Sequence, residues 1–315
     1  MSTRREGCGE TMSDMPMDVL PEVAAALEVG HPVVALESTV IAHGLSRPQN
    51  LEIALRLQTL VRAQGVIPAT VAVLGGRVKI GLSENELSHL AEGADVIKMS
   101  RRDFPTAIAR QLDGATTVSG SMMAADWAGI RVLATGGIGG VHRGDQFDVS
   151  ADLPELARTP IVVVCSGAKA ILNLPATLEW LETHGVPVVG YGVDELPAFY
   201  SRSSGLALDL RADNPVEVAE LLWAQRKLAL SGGLVVAVPP PEQDALPGVE
   251  MKAAIEQALA QAQVEAVRGK ETTPFLLRQM ETLTGGASLR ANIALLENNA
   301  QVAAHIAVAI AAAGC

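Results

Sequence analysis

Short, almost wholly apolar runs constrain this chain most. Val132-Leu-Ala134, Ile161-Val-Val-Val164, Val188-Val189 and Leu234-Val-Val-Ala-Val238 carry no polar side chain. Further strand signals stand at Val96-Ile-Lys-Met99 and Thr116-Thr-Val118, and helical stretches separate most of the runs. Strands this apolar are buried on both faces, which calls for helices above and below a sheet. Hydrophobic residues make up 49% of the chain and aromatics only 3%, so the core must be built from Ala, Val, Leu and Ile. The pattern predicts a three-layer α/β/α fold with a mainly parallel or mixed central sheet.

Local signals fill in the elements. Helical spacing over residues 51–64 ends at Gly65, and shorter helices are predicted over 21–27 and 175–184. Longer ones are predicted over 250–268 and 291–313. Residues 32–44 read as an apolar strand interrupted by polar side chains. Gly75-Gly76 between 70–74 and 77–80 marks a hairpin turn, and Ser83 with Glu86 forms a capping-box pattern. Ser150 or Asp152 reads as the start of a helix. No repeat or composition break divides the chain, so residues 19–315 predict a single domain. Residues 1–18 predict a disordered extension without the apolar core of a signal peptide.

Charge and cysteines narrow the function classes. Lys and Arg number 24 against 35 Asp and Glu, a net charge of −11 that argues against a nucleic-acid partner. The uncharged stretch 302–315 is too short and too Ala-rich to span a membrane. Cys8, Cys165 and Cys315 lack metal-type spacing and suit reduced thiols in a cytoplasmic enzyme.

Polar residues at the ends of buried strands are the candidates for chemistry, because open α/β sheets gather ligands at strand carboxyl ends. Glu37 follows Val33-Val-Ala-Leu36, and reads equally as a buried general acid or as a structural carboxylate. Lys98, Arg101 and Arg102 form either a local anion pocket or a solvated group. The glycine-rich Ala134-Thr-Gly-Gly-Ile-Gly-Gly-Val-His-Arg-Gly144 lets backbone N–H groups approach a ligand but matches no nucleotide fingerprint. His142 and Arg143 either join the anion pocket or cap this loop. Asp148 and Asp152 flank Ser150 and suit either a hard divalent cation or helix capping. Lys169, after Ile161-Val-Val-Val-Cys165 and three small residues, is a nucleophilic amine in an apolar setting or a solvent-facing lysine. Cys165 is a rival nucleophile. Asn292, Asn298 and Asn299 are amide ligands or helix-surface residues.

Taken together, several strings carry a family resemblance. Val-Val-Ala-Leu-Glu37-Ser-Thr-Val-Ile-Ala-His-Gly44, Ser100-Arg-Arg-Asp103, the glycine segment, Phe147-Asp-Val-Ser-Ala-Asp152, Val164-Cys-Ser-Gly-Ala-Lys169, Gly269-Lys-Glu-Thr-Thr-Pro-Phe275 and Asn292-Ile-Ala-Leu-Leu-Glu-Asn298-Asn299 resemble the pseudouridine-5′-phosphate glycosidase family. The match runs in order from about Pro21 to the last helix. The resemblance implies reversible conversion of pseudouridine 5′-phosphate and water to uracil and ribose 5-phosphate by a homotrimer using Mn²⁺ or a similar divalent metal. It implies Lys169 as the Schiff-base lysine, Glu37 as proton donor and Asp148 as metal ligand. Lys98, Val118, Ser150, Ala151 and Asp152 match substrate contacts, and Asn292 an amide near the reacting sugar. Gly144-Asp-Gln-Phe-Asp148 is shorter than the family's loop. A Schiff-base aldolase for another phosphosugar, or a phosphometabolite-binding regulator, are the alternatives.

Overall fold

The computed structural model describes residues 15–143, 148–267, 269 and 272–313. Their strands are β1 (Met17–Val19), β2 (Val33–Leu36), β3 (Ile67–Leu74), β4 (Arg77–Ile80), β5 (Ile97–Met99), β6 (Gly114–Thr116), β7 (Val132–Ala134), β8 (Val162–Cys165), β9 (Val188–Tyr191), β10 (Leu210–Ala212) and β11 (Leu234–Ala237). One sheet joins them in the order β1-β4-β3-β2-β7-β8-β11-β9-β10, and β6 branches from β3 with β5 beside it. From β3 through β2 to β10 every pairing is parallel; only β3–β4 and β3–β6 are antiparallel. The predicted mixed, mainly parallel sheet is what forms.

Helices cover both faces. They are α1 (Pro21–Glu28), α2 (Gln49–Ala63), α3 (Glu84–Glu92), α4 (Phe104–Ala109), α5 (Val118–Trp127), α6 (Asp152–Leu156), α7 (Leu174–Thr183), α8 (Pro215–Lys227), α9 (Gly248–Val264), α10 (Thr272–Leu283) and α11 (Ala287–Ala313). Helix α11 packs on β2, β7 and β8 between α2 and α8, while α5 packs on β2, β3 and β7 from the other side. Residues of β2, β7, β8 and β11 are therefore buried whichever way they point. Each Val, Leu or Ile so buried contributes about 1.5–3 kcal/mol.

By length and mean hydropathy α11 is apolar enough to cross a membrane, yet over half of its most apolar stretch is buried against this protein. Its inward face mixes Leu295, Ile306 and Ile310 with Asn292 and Asn299, the profile of a core helix.

The hairpin and the Ser83–Glu86 capping box form as the sequence predicts. Three local readings change. Met17 and Asp18, placed in the disordered extension, belong to β1, which pairs with β4 while Asp18 binds Arg77 and Lys79; residues 1–14 lie outside the described ones. The strand predicted over 32–44 stops at Leu36, and Val40–Gly44 wind into a π-turn. The strand signal at Thr116-Thr-Val118 ends at Thr116, because the Thr117 hydroxyl caps α5 by accepting from Gly120 N–H.

Candidate active site

The sheet register builds the site. Leu36 pairs with Ala134, and Ala134 with Val164, so β2 and β7 end level and β8 one residue beyond them. The residues that follow leave the sheet side by side at the carboxyl ends. Glu37 emerges after β2, Thr135-Gly-Gly137 after β7, and Ser166-Gly-Ala-Lys169 after β8. The last two loops run together: Ser166 N–H donates to Gly136 C=O at 2.8 Å, Ile138 N–H to Gly167 C=O at 3.1 Å, and Lys169 N–H to Ile138 C=O at 3.1 Å.

A cavity opens over these ends. Glu37, Thr39, His43, Lys98, Gly136, Gly137, Lys169, Phe199, Thr273 and Asn292 are among its lining residues. Four residues singled out in the sequence, Glu37, Lys98, Lys169 and Asn292, thus meet in one place. Lys169 is half-buried. A second cavity adjoins the first and shares His43, Lys98, Pro274 and Asn292 with it, then extends to Ser46, Arg278 and Glu281.

Glu37 is buried, and both carboxylate oxygens are engaged. Thr135 Oγ1 donates to Oε1 at 3.1 Å, and Thr39 Oγ1 donates to Oε2 in a short hydrogen bond. The carboxyl group is therefore oriented in the cavity wall by two hydroxyls. Asn299, one turn of α11 beyond the cavity, braces the loop ends instead of lining it. Its Nδ2 donates to Thr135 C=O at 2.9 Å and to Ser166 Oγ at 3.1 Å. Asn298 donates to Pro239 C=O.

Two glycines have a definite steric reason here. Gly167 has φ +79°, and a Cβ on it would lie 2.5 Å from Pro197 O. A Cβ on Gly137 would come within 2.6 Å of the Phe199 ring. Phe199 itself sits at φ +62°, a left-handed conformation uncommon for a bulky residue. Sequence reasoning missed Phe199, Thr135 and Thr273 as individual site residues, while Thr39 stood out only as a polar neighbour of Glu37. Only the pairing of β2 with β7 identifies Thr135, and nothing in the linear pattern marks Phe199.

The basic residues separate. Lys98 lines the cavity, but Arg101 turns away and binds the buried Glu155 through Nε and Nη2 at 2.6 and 2.5 Å. Arg102 is exposed. Arg143 caps the loop after Lys169 by donating to Leu172 C=O at 3.1 Å and Ala170 C=O at 3.2 Å. The local anion pocket of Lys98, Arg101 and Arg102 is thus reduced to Lys98, because Arg101 has a buried carboxylate to satisfy.

Val118, Ser150, Ala151 and Asp152 sit beside the cavity rather than in its lining. Asp152 is buried, and its two oxygens accept from Ser119 N–H at 2.9 Å and Gly139 N–H at 2.8 Å. It fastens the start of α5 to the glycine-rich loop, two residues past the cavity-lining Gly137. The helix start predicted at Ser150 or Asp152 is α6. Its N-cap position is Ala151, and Ser150 Oγ accepts from Asp152 N–H at 3.2 Å.

Asp152 is already engaged structurally, each of its oxygens holding a backbone N–H group. Asp148 fits a divalent ion better. Its carboxylate is half-exposed, with His142 Nδ1 at 3.8 Å its ionisable neighbour among the described residues, a setting that suits a metal that keeps most of its water. Among the described residues no group of three His, Cys, Asp or Glu is arranged around a metal. Burial pushes the His142 imidazole below its usual range. Asp148 opposes that effect, whereas the charges of Lys98 and Lys169 add to it, so these groups share one electrostatic neighbourhood. Gly144–Phe147, Lys270 and Glu271, Cys8 and Cys315 lie outside the described residues. Cys165 is fully buried, and burial pushes its thiol up to about 12, which removes it as a nucleophile.

Comparison with known proteins extends over nearly the whole chain. The family model described as indigoidine synthase A like protein matches residues 22–309. A Methylobacterium nodulans protein named pseudouridine-5′-phosphate glycosidase is 55% identical over 296 residues, covering 93% of this chain and 88% of its own. One of the same name from Herpetosiphon aurantiacus is 56% identical over 292 residues, covering 92% and 96%. Among solved structures, the prealnumycin C-glycosynthase AlnA in complex with ribulose 5-phosphate superposes with a TM-score of 0.88. It is 37% identical, and the match covers 96% of this chain and 98% of that one.

Proposed function

The chain belongs to the indigoidine synthase A-like family, and from that membership we propose that it is a pseudouridine-5′-phosphate glycosidase. It converts pseudouridine 5′-phosphate and water reversibly into uracil and ribose 5-phosphate, and is placed in the carbon–oxygen lyase class. The observation that carries the reading is the meeting of Glu37 and Lys169 in one cavity, in a chain 55% identical to relatives of that name. The neighbour that binds ribulose 5-phosphate supports a pentose phosphate as ligand.

The bond to be broken joins C1′ of the sugar to carbon 5 of uracil, a poor leaving group unless that carbon takes up a proton. Two carboxylates of the usual glycosidase kind would not supply this. In the proposed mechanism Glu37 gives its proton to the ring oxygen as the C1′–O bond opens, and the Lys169 amine forms a C–N bond at C1′. The proton that the lysine nitrogen sheds on adding to C1′ passes to carbon 5 of uracil, and the C1′–C5 bond breaks, its electron pair remaining with uracil. The lysine nitrogen supplies the pair that makes a Schiff base with ribose 5-phosphate. Water hydrolyses the imine, freeing the amine, and a proton returns to Glu37. Thr39 and Thr135 hold the carboxyl in line. Lys98 balances substrate charge, and Asn292 contributes an amide beside the sugar. The backbone around Val118 and the Ser150-Ala151-Asp152 turn completes substrate binding.

The divalent metal of this reading, Mn²⁺, would be held by Asp148 with water, and supplies order and polarisation to the water and polar groups around substrate. We read the chain from β1 onward as one catalytic unit, a cytoplasmic homotrimer acting in nucleotide catabolism.

The test is purified protein incubated with pseudouridine 5′-phosphate, with Mn²⁺ or with chelator. Uracil release with Mn²⁺ and its loss with chelator are expected. Absence of uracil with Mn²⁺ present would leave an aldolase for another phosphosugar or a binding protein as the better reading.

A further inference from the structure

Three of the segments that the proposed reading assigns to substrate are joined to one another by side chains away from the cavity. They are the end of β5, which carries Lys98, the start of α5, which carries Val118, and the Ser150-Ala151-Asp152 turn that opens α6. β5 has three residues and pairs with β6 alone among the described strands, and α6 has five residues. Elements this short are held weakly by their own backbone bonds, so their placement depends on what ties them to their neighbours.

The ties close a ring. Between β5 and α5, Ser100 Oγ and Thr117 Oγ1 share a hydrogen bond at 3.0 Å, and Thr117 N–H donates to Met99 C=O at 2.8 Å. Between α5 and α6, Asp152 Oδ1 accepts from Ser119 N–H at 2.9 Å. Between α6 and β5, the Arg101 guanidinium donates twice to Glu155, from Nε to Oε2 at 2.6 Å and from Nη2 to Oε1 at 2.5 Å. Arg101 directly follows Ser100, and Glu155 lies about one turn of α6 beyond Asp152, so the circuit returns to its start. The Glu155 side chain is 2% exposed against 44% for Arg101. This is a buried carboxylate gripped by a two-pronged donor, and such a pair fixes orientation as well as distance. Neither residue is among those lining the active-site cavity or the one adjoining it. Their influence on substrate therefore passes through the segments they join.

We propose that Arg101 and Glu155 are positioning residues for substrate binding: their ion pair closes a three-sided ring that holds Lys98, Val118 and the Ser150-Ala151-Asp152 turn in one arrangement. The proposal rests on the glycosidase reading for the identity of the substrate. With one side opened, the three segments are joined only in a line and can spread apart, and contacts that no longer converge bind more weakly. Glu37 follows β2 and Lys169 stands in the loop after β8, both outside the ring. The chemical step should therefore suffer less than binding.

The test compares wild type and variants in steady-state uracil release and in hydrogen exchange, with circular dichroism to establish that each variant folds. Arg101→Gln should raise KM for pseudouridine 5′-phosphate about tenfold or more, with a smaller change in kcat. Arg101→Lys keeps the charge without the planar fork and should fall between. Arg101→Met combined with Glu155→Leu leaves no unpaired charge, yet should stay impaired because the tie is gone. Amide exchange at Thr117 and Ser119, on the other two sides of the ring, should quicken in Arg101→Gln while β2 and β7 exchange as in wild type. An unchanged KM in folded Arg101→Gln, or a loss confined to kcat, would overturn the proposal. So would full recovery of KM in the double variant, since an unpaired buried carboxylate would then be the whole cause. A wild type that releases no uracil counts against the glycosidase reading instead. The ring is then judged by hydrogen exchange, where wild-type rates at Thr117 and Ser119 in Arg101→Gln would overturn it.

Discussion

The hydroxyl of Thr135 donates to Oε1 of Glu37 at 3.1 Å, joining residues 98 positions apart in the chain. The contact follows from register, because Leu36 and Ala134 are paired and their successors leave the sheet together. Thr135→Val keeps the shape and removes the donor. With Thr39 alone on the carboxyl, kcat for uracil release should fall about tenfold or more while KM changes little. Steady-state kinetics decide; a change confined to KM would make Thr135 a substrate contact instead.

Asp152 joins the start of α5 to the glycine-rich loop through two backbone N–H groups. In Asp152→Asn one oxygen becomes an NH₂ that faces a donor. One buried N–H is then unmet, at a cost of about 1–3 kcal/mol. Urea unfolding should show that loss, and turnover should fall with it because the loop leads into the cavity.

At the edge of the sheet, Asp18 is held down to about 2, chiefly by the hydrogen bond from Arg77 and also by Lys79. The folded value lies below the ordinary 3.8, so ionised Asp18 stabilises the fold at neutral pH. That contribution shrinks below about pH 4 and is lost as pH falls through the folded value. The stability difference between wild type and Asp18→Asn should be present at pH 7 and smaller at pH 3. The pair is largely at the surface, so the difference is at most about 1 kcal/mol and falls with salt.

How much of this was legible depended on distance along the chain. Glu37, Lys98 and Lys169 stand out because a polar residue within an apolar strand, directly after one, or a few small residues beyond one is conspicuous, and all three line the cavity. Lys98, Arg101 and Arg102 look alike in sequence, whereas only the fold brings Glu155 to Arg101 from 54 residues away. The same limit hid the capture of Asp152 by Ser119 and Gly139. Strands β1 and β10 were missed because each is three residues long with a charged residue at its centre, Asp18 or Arg211, and so makes no apolar run; each forms by adding to an edge already present.

Burial of the Cys165 thiol predicts inertness. Native protein treated with iodoacetamide at pH 8 should leave the Cys165 peptide unmodified, and denatured protein should be labelled there. Peptide mass mapping separates this site from Cys8 and Cys315.

The central claim is that Lys169 captures the anomeric carbon, and borohydride trapping tests it directly. Protein reduced during turnover of pseudouridine 5′-phosphate should carry a ribose 5-phosphate adduct on Lys169 by peptide mass mapping. An adduct on Lys98 instead, or uracil release without any adduct and undiminished in Lys169→Ala, would contradict it.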